Sequence, residues 1–144
     1  MATYTPCNDW VDYLAEDVDA ASDQFVVALS NTAPAAESSN PTADGNGILA
    51  NVTQITYTNL SSRNLTTASS SQTGGTFTLD FNNLTLTASG GSVGPFRYVY
   101  IYDDTVANDP VVCVFDYGSS ITLADTETLD ININASGLFT VAPA

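Results

Sequence analysis

The sequence predicts an all-β chain: an antiparallel β-sandwich, jelly-roll or immunoglobulin-like, with about eight strands and a short N-terminal helix or arm. Three observations lead to this prediction. Strand-length apolar or alternating segments recur along most of the chain, turn-forming residues separate them, and only one stretch has helical periodicity. We therefore expect residues 1–22 to form the arm and short helix, and residues 23–144 to form the β-sandwich domain.

The helical stretch lies close to the N-terminus. Either Asn8 or Asp9 is suited to the N-cap position, because a short polar side chain can accept a hydrogen bond from the first free amides. The acidic residues near its C-terminal end oppose the helix dipole, so we expect only about two turns. The apolar positions share one helical face: Trp10, Tyr13, Leu14 and Val18.

The strand predictions depend on apolar runs and on period-two alternation. A strand at 96–102 is apolar on both faces, which favours the centre of a sheet, and 111–117 is its expected hairpin partner. The other candidate strands are 24–29, 48–57, a short one around 63–67, 77–81, 84–87, 129–134 and 138–141.

Charge excludes several classes of function. The 144 residues include 16 acidic side chains, no His and only two cations, Arg63 and Arg97, for a net charge of −14. Nucleic acids and anionic membranes are bound mainly through Lys and Arg, so we expect neither as a partner. The N-terminus lacks the basic start and apolar stretch of a signal peptide, and we expect synthesis in a cytoplasm.

The residues that most enzymes use are missing. Without His or Lys, a Ser or Cys nucleophile has no usual base, and two separate cysteines do not make a zinc site. No pair of carboxylates stands out as a glycosidase pair. We expect no enzyme activity, no cofactor and no metal, and a buried free thiol at Cys113 in preference to a disulfide with Cys7.

Two acidic segments resemble parts of calcium sites. The first contains Asp17, Asp19 and Asp23 but lacks the Gly and the closing Glu of a calcium loop. The second, Asp103, Asp104 and Asp109, surrounds a hairpin loop. Because Asp is common in exposed turns, we favour solvated turn residues over calcium ligands in the second segment.

Ser, Thr and Asn fill 45 of the 144 positions, and charged residues only 12 %. A surface with few charges loses little solvation free energy on contact with another protein. Composition therefore favours binding or scaffolding.

Four segments carry a family resemblance: 23–34, 87–105, 109–123 and 129–140. Within them, Gly-Pro-Phe-Arg-Tyr at 94–98 and Phe-Asp-Tyr-Gly at 115–118 are the most characteristic. Together the chain from about residue 10 to 141 resembles a family of small virion structural proteins of tailed bacteriophages.

The resemblance implies a capsid decoration, or cement, protein. Such a protein is made in the host cytoplasm, binds the major capsid protein on the outer surface of the head and stabilises contacts between capsomers. It also implies self-association, for instance as a trimer at three-fold positions of an icosahedral lattice. Gly94-Pro95 would start a strand from a turn, and Arg97 would pair with a carboxylate, at an interface or within the chain.

The N-terminal arm offers aromatic anchors for a partner, at Tyr4, Trp10 and Tyr13. As the alternative, Trp10 and Tyr13 cover one open end of the sandwich. If the arm is an anchor, removing residues 1–9 weakens association and leaves the thermal transition nearly unchanged.

Other functions remain open on the sequence. A low-copy tail or fibre protein of the same virion would have a similar composition. A carbohydrate-binding module would use Tyr98, Tyr100, Tyr102 and Tyr117 as a stacking platform, although alternation with Val and Ile favours a core position for this strand. A salt-adapted acidic surface protein would account for the acidity but not for the low total charge.

Overall fold

The structure is a computed structural model that describes residues 2–34, 47–134 and 136–143, and it confirms the all-β prediction. The described strands form a four-stranded antiparallel sheet in the order β1-β7-β6-β2, a three-stranded sheet β3-β4-β9 and a two-stranded sheet β5-β8. The elements are β1 (Thr3–Pro6), α1 (Trp10–Glu16), β2 (Phe25–Ser30), a 3-10 turn (Leu49–Asn51), β3 (Thr67–Thr73), β4 (Thr76–Phe81), β5 (Leu84–Thr87), β6 (Val93–Asp103), β7 (Val111–Leu123), β8 (Thr128–Ile131) and β9 (Phe139–Val141).

Strand β6 occupies the centre of the four-stranded sheet, as its two apolar faces predict. It pairs with β2 on one side and with β7 on the other. Tyr98, Tyr100 and Tyr102 on one face are buried together with Val99 and Ile101 on the other. These tyrosines are therefore core residues and do not form a sugar-stacking platform.

The predicted strand at 48–57 is wrong, and the edge of β2 explains what replaces it. After the 3-10 turn the chain runs irregularly beside β2. The Ile55 amide donates to Leu29 O at 3.0 Å, but the Leu29 amide is taken by the side-chain hydroxyl of Tyr57 at 2.9 Å. Because a side chain fills a backbone position, the hydrogen-bond ladder does not propagate.

Further along, the chain returns to the same edge of β2. The Val27 amide donates to Arg63 O at 2.9 Å, and the Arg63 guanidinium donates to Val27 O while lying 3.8 Å from the centre of the Tyr57 ring. All six residues of β2 are buried as a result. The short strand expected around 63–67 is only an isolated bridge at Asn64, and β3 begins at Thr67.

The layers meet in an aromatic cluster that includes the helix. Trp10 is 0 % exposed and packs edge-on against Phe25 of β2, at 6.0 Å, and Phe139 of β9, at 6.3 Å between ring centres. Phe25 also contacts Phe81 of β4 at 4.9 Å. Helix α1 has seven residues with Asp9 at the N-cap position, which confirms the prediction of about two turns.

The first described residues join the four-stranded sheet. Strand β1, which the sequence did not predict, pairs with β7 from Thr3 opposite Asp116 to Pro6 opposite Cys113. A four-residue strand without apolar alternation has no local signal, because its pairing partner lies more than a hundred residues away. The β6 strand likewise begins earlier than expected, so Gly94-Pro95 lies within it, beside a register shift, and does not precede it.

Both cysteines are buried free thiols, as expected for Cys113. Burial raises the pKa of Cys7 and of Cys113, in each case because a thiolate would lose its solvation. The two sulfurs are thus protonated and inert at neutral pH.

Removing residues 1–9 is expected to lower the melting temperature, whereas an arm that served only as a partner anchor would leave it nearly unchanged. The truncation removes β1 and the buried Cys7 side chain, a loss of about 2–4 kcal/mol and about 5–15 °C. Thermal unfolding followed by circular dichroism measures it, with removal of residues 1–2 as the control. An unchanged melting temperature for the nine-residue truncation would contradict the packing of β1.

Thiol labelling tests the burial of the cysteines. At pH 8 the native protein is expected to react with a thiol reagent at least about 100-fold more slowly than the protein in denaturant, where both thiols react. Rapid labelling of either thiol under native conditions would place it at the surface.

Candidate functional site

The most distinctive surface is a cleft between strands β1 and β7 on one side and β8 with the residues after it on the other. Two adjoining pockets of about 370 and 130 Å3 share Phe115 and Asn132 in their linings. We call this surface the aromatic cleft and define it by six residues: Tyr4, Phe115, Tyr117, Leu129, Asn132 and Ile133.

Strand geometry puts the three aromatic rings together. Phe115 and Tyr117 are two residues apart on β7 and therefore point to the same face. Tyr4 lies directly opposite Phe115, with ring centres 5.3 Å apart and planes tilted by 52°. The Tyr4 hydroxyl donates to Leu138 O at 3.1 Å, which ties its ring to the segment before β9.

The cleft exposes apolar surface to solvent. Tyr4 is 38 % and Tyr117 49 % exposed, and only two other large apolar side chains of the described residues, Val11 and Val141, are as open. Tyrosine is well suited to a surface that is both wet and available for contact, because its ring is apolar and its hydroxyl polar.

Charge around the cleft is low. Asp130 is the charged residue in its lining, and its Oδ1 accepts a hydrogen bond from the Thr85 hydroxyl at 2.6 Å. Burial raises the pKa of Tyr4, so its hydroxyl stays neutral at physiological pH. Because neither arginine lines these pockets, the cleft is suited to neutral or apolar contacts and offers no anion site.

Arg97 is paired within the chain. Its Nε and Nη2 donate to the two carboxylate oxygens of Asp116 at 2.7 and 2.9 Å, across the β6–β7 pair and beside a register shift. The Arg97 side chain lowers the pKa of Asp116, helped by the Gly118 amide, which donates to Asp116 Oδ1. Both side chains are about one-third exposed, so this is an intramolecular surface ion pair.

Of the four partner-binding residues predicted from sequence, only Tyr4 lines the aromatic cleft. Trp10 is in the core and is inaccessible to a partner, in agreement with the alternative that it covers an end of the sandwich. Tyr13 is half-buried and packs against that core. From the sequence, Tyr117 had a contact role only on a sugar platform and Phe115 had none, although both belong to the resembling segment 115–118; their spacing of two residues at the end of the apolar run of β7 was the available signal.

Two larger pockets lie away from the cleft. An apolar groove of about 450 Å3 separates α1 from the β3-β4-β9 sheet, with Val11, Leu14 and Val141 in its lining. A polar one of about 590 Å3 is lined by side chains such as Asn31, Gln54 and Asn59, with no charged residue among them. Neither contains a group of acids or bases arranged for catalysis.

Replacing Tyr117 with Ala is expected to leave stability within about 0.5 kcal/mol of wild type, because the ring is half exposed. Replacing Tyr100, which is 2 % exposed, is expected to cost about 3–5 kcal/mol. Urea denaturation of the two variants measures both. Equal losses would mean that Tyr117 is part of the core and not of an open surface.

Within the described ranges, no three His, Cys, Asp or Glu side chains are grouped so that they could hold a metal ion. No helix in the described part of the chain has the length and apolar character that crossing a bilayer requires. No protein-family model matches the chain, and no curated protein and no solved structure is significantly similar to it.

Proposed function

We propose that this chain is a non-enzymatic structural protein of a tailed-bacteriophage virion that decorates the capsid. In this proposal it binds the major capsid protein on the outer surface of the head, as a homo-oligomer such as a trimer, and stabilises contacts between capsomers. The virion part rests on the sequence resemblance, and the docking part rests on the aromatic cleft.

Three of the resembling segments lie side by side in the structure. Residues 23–34 contain β2, residues 87–105 contain β6, and residues 109–123 contain β7. These three strands are neighbours in the four-stranded sheet. The resemblance therefore concerns the buried centre of the fold, including the strand that supplies Phe115 and Tyr117.

The single observation that carries the docking part is the exposure of Tyr4 and Tyr117 on two paired strands of the four-stranded sheet. Aromatic residues held by strands lose little conformational entropy on binding, and they are common among the residues that dominate interface energies. Tyr4 is further fixed by its bond to Leu138 O. A partner that places an apolar side chain between these rings gains contact without having to pair a charge.

Multivalency would compensate for a small contact area. Each cleft is modest, so a single copy is expected to bind the capsid weakly. Linking copies in a cyclic oligomer raises the effective concentration of the remaining clefts once one of them is bound. This mechanism uses association free energy and no chemical step.

A carbohydrate-binding module is the second candidate, and the rim of the cleft favours it. Exposed Tyr117 lines the same pocket as Asp130 and Asn132, whose oxygens and amide are suited to sugar hydroxyls, while the ring is suited to stacking. A glycan-array screen with Tyr117→Ala as the control distinguishes this candidate, since glycan binding that depends on Tyr117 would favour it.

Copy number per purified particle is the first test of the proposal. Quantitative mass spectrometry against the major capsid protein is expected to give a ratio of one to one or one to a small integer. A handful of copies per particle would instead indicate a tail or fibre protein. Absence from particles would remove the virion function.

The Tyr117→Ala variant tests whether the cleft is the capsid-binding surface. Particles lacking the protein are incubated with wild-type or variant protein, and bound copies are counted across a concentration series. We expect the variant to need at least about 10-fold higher concentration for half-occupancy, as for a central interface aromatic.

The matched control is Val11→Ala, which shortens another exposed apolar side chain, 54 % exposed and outside the cleft. It is expected to bind like wild type. Equal occupancy by wild type and Tyr117→Ala would exclude the cleft as the docking surface, and an effect of Val11→Ala alone would move that surface to the groove beside α1.

A further inference from the structure

A buried carboxyl group lies at the end of β6. Asp103 is 0 % exposed. Its Oδ1 accepts hydrogen bonds from the Thr105 amide at 2.9 Å and the Val106 amide at 3.3 Å, which shape the turn after the strand. Its Oδ2 is closed off from solvent and accepts no hydrogen bond from a donor group of the described residues. Burying a polar oxygen without a hydrogen-bond partner raises the free energy of the folded state, so a partner for this atom is expected.

A second carboxylate, that of Asp23 in the connection between α1 and β2, lies close to Asp103. Phe25 pairs with Asp103 across the β2–β6 ladder. The preceding residue, Gln24, makes two hydrogen bonds to the same turn, both at 2.8 Å: its backbone carbonyl accepts from the Asp104 amide, and its backbone amide donates to the Thr105 hydroxyl. This places Asp23 beside Asp103, within reach of a bond between their side chains.

Neither of the two arginines balances the two carboxylates. Arg63 is engaged with Val27 O and the Tyr57 ring, and Arg97 with Asp116. The charged groups around the turn are themselves acidic: Asp104 follows Asp103, and Asp109 interacts with Asp104 from the far end of the loop. A hydrated metal ion also has no access to an oxygen that solvent does not reach.

We propose that the protonated side chain of Asp103 donates from Oδ2 to Asp23 in the folded protein, so that a carboxylic acid–carboxylate pair joins the α1–β2 connection to the end of β6. The proton comes from solvent during folding. It supplies the missing partner of the buried oxygen and removes one of two adjacent negative charges. This inference is independent of the proposed virion function.

The pKa of Asp103 agrees with this pairing. Burial raises it, the amides of Thr105 and Val106 lower it, and the negative charge of Asp23 raises it again, with a net shift upward. A group whose pKa is raised by folding adds stability that is fully present below its unfolded value of about 3.9 and is lost as the pH rises through the folded value. The pair therefore makes this corner of the fold more stable in acid.

Asp103→Asn imitates the protonated state. The Asn Oδ1 keeps the bonds from Thr105 and Val106, and its Nδ2 donates to Asp23. Over the pH range in which Asp103 titrates, lowering the pH by one unit is expected to raise the folding equilibrium constant of the wild type by up to about tenfold. The variant, which has no carboxyl group at this position, is expected to lack this increase. Asp17→Asn, which removes an exposed carboxylate, is the matched control and is expected to keep the wild-type slope.

Carbon-13 NMR of the side-chain carboxyl groups measures the proton directly in the wild-type chain. The Asp103 resonance is expected to titrate above the ordinary Asp range, and in Asp23→Asn its midpoint is expected to shift to lower pH because a neighbouring negative charge is gone. This second variant keeps the test decisive if Asp103→Asn does not fold.

Three results would overturn the proposal. The first is an Asp103 midpoint at or below about 4, the ordinary value. The second is an Asp103 midpoint that does not respond to Asp23→Asn. The third is calcium, added alone at pH 7, raising the melting temperature of the wild type but not of Asp103→Asn, which would place a metal ion where we place the proton.

Discussion

The structure depends on covering one strand on both of its faces. Strand β6 carries aromatic side chains on one face and branched ones on the other, so exposure of either face to solvent is unfavourable. Strands β2 and β7 pair with its two edges, and other segments must cover both faces of the sheet. Burial of a side chain the size of Tyr100 contributes about 1.5–3 kcal/mol, and β6 supplies several of that kind. The aromatic cluster around Trp10 continues the same core into the second layer.

Side chains complete the backbone hydrogen bonding where strands end. The Tyr57 hydroxyl and the Arg63 guanidinium satisfy the outer edge of β2, and Asp103 caps the turn after β6. Both arginines of the chain are thereby used internally, since Arg97 binds Asp116. The exposed surface is left with acids, hydroxyls and a few aromatic rings, which is consistent with contacts to neutral partners and opposes binding to anionic ones.

The aromatic cleft arises because β7 is longer than its cover. The first four residues of β7 are buried, and exposure increases from Phe115 onward. There β1 is the edge strand of the sheet, and β8 covers only part of the face that carries Phe115 and Tyr117. The apolar run at the start of β7 was visible in the sequence, but the exposure of its later residues was not, because apolar runs occur in buried and in open strands. The sequence suggested Tyr4 as an aromatic anchor, and Tyr4 is accessible; for Trp10 it left open an anchor or a cover for the end of the sandwich, and contact with Phe139, far along the chain, decides for the cover.

By itself the sequence determined the all-β class, the two-turn helix and the central position of the strand at 96–102, because helical and strand periodicities and two-sided apolarity are local properties. Only the tertiary structure decided that the first residues pair with β7, that the segment at 48–57 is irregular, and that Asp103 is buried against Asp23. Each of these depends on a partner distant in sequence. Local sequence patterns indicate which residues are buried, whereas strand pairing decides which of them come into contact.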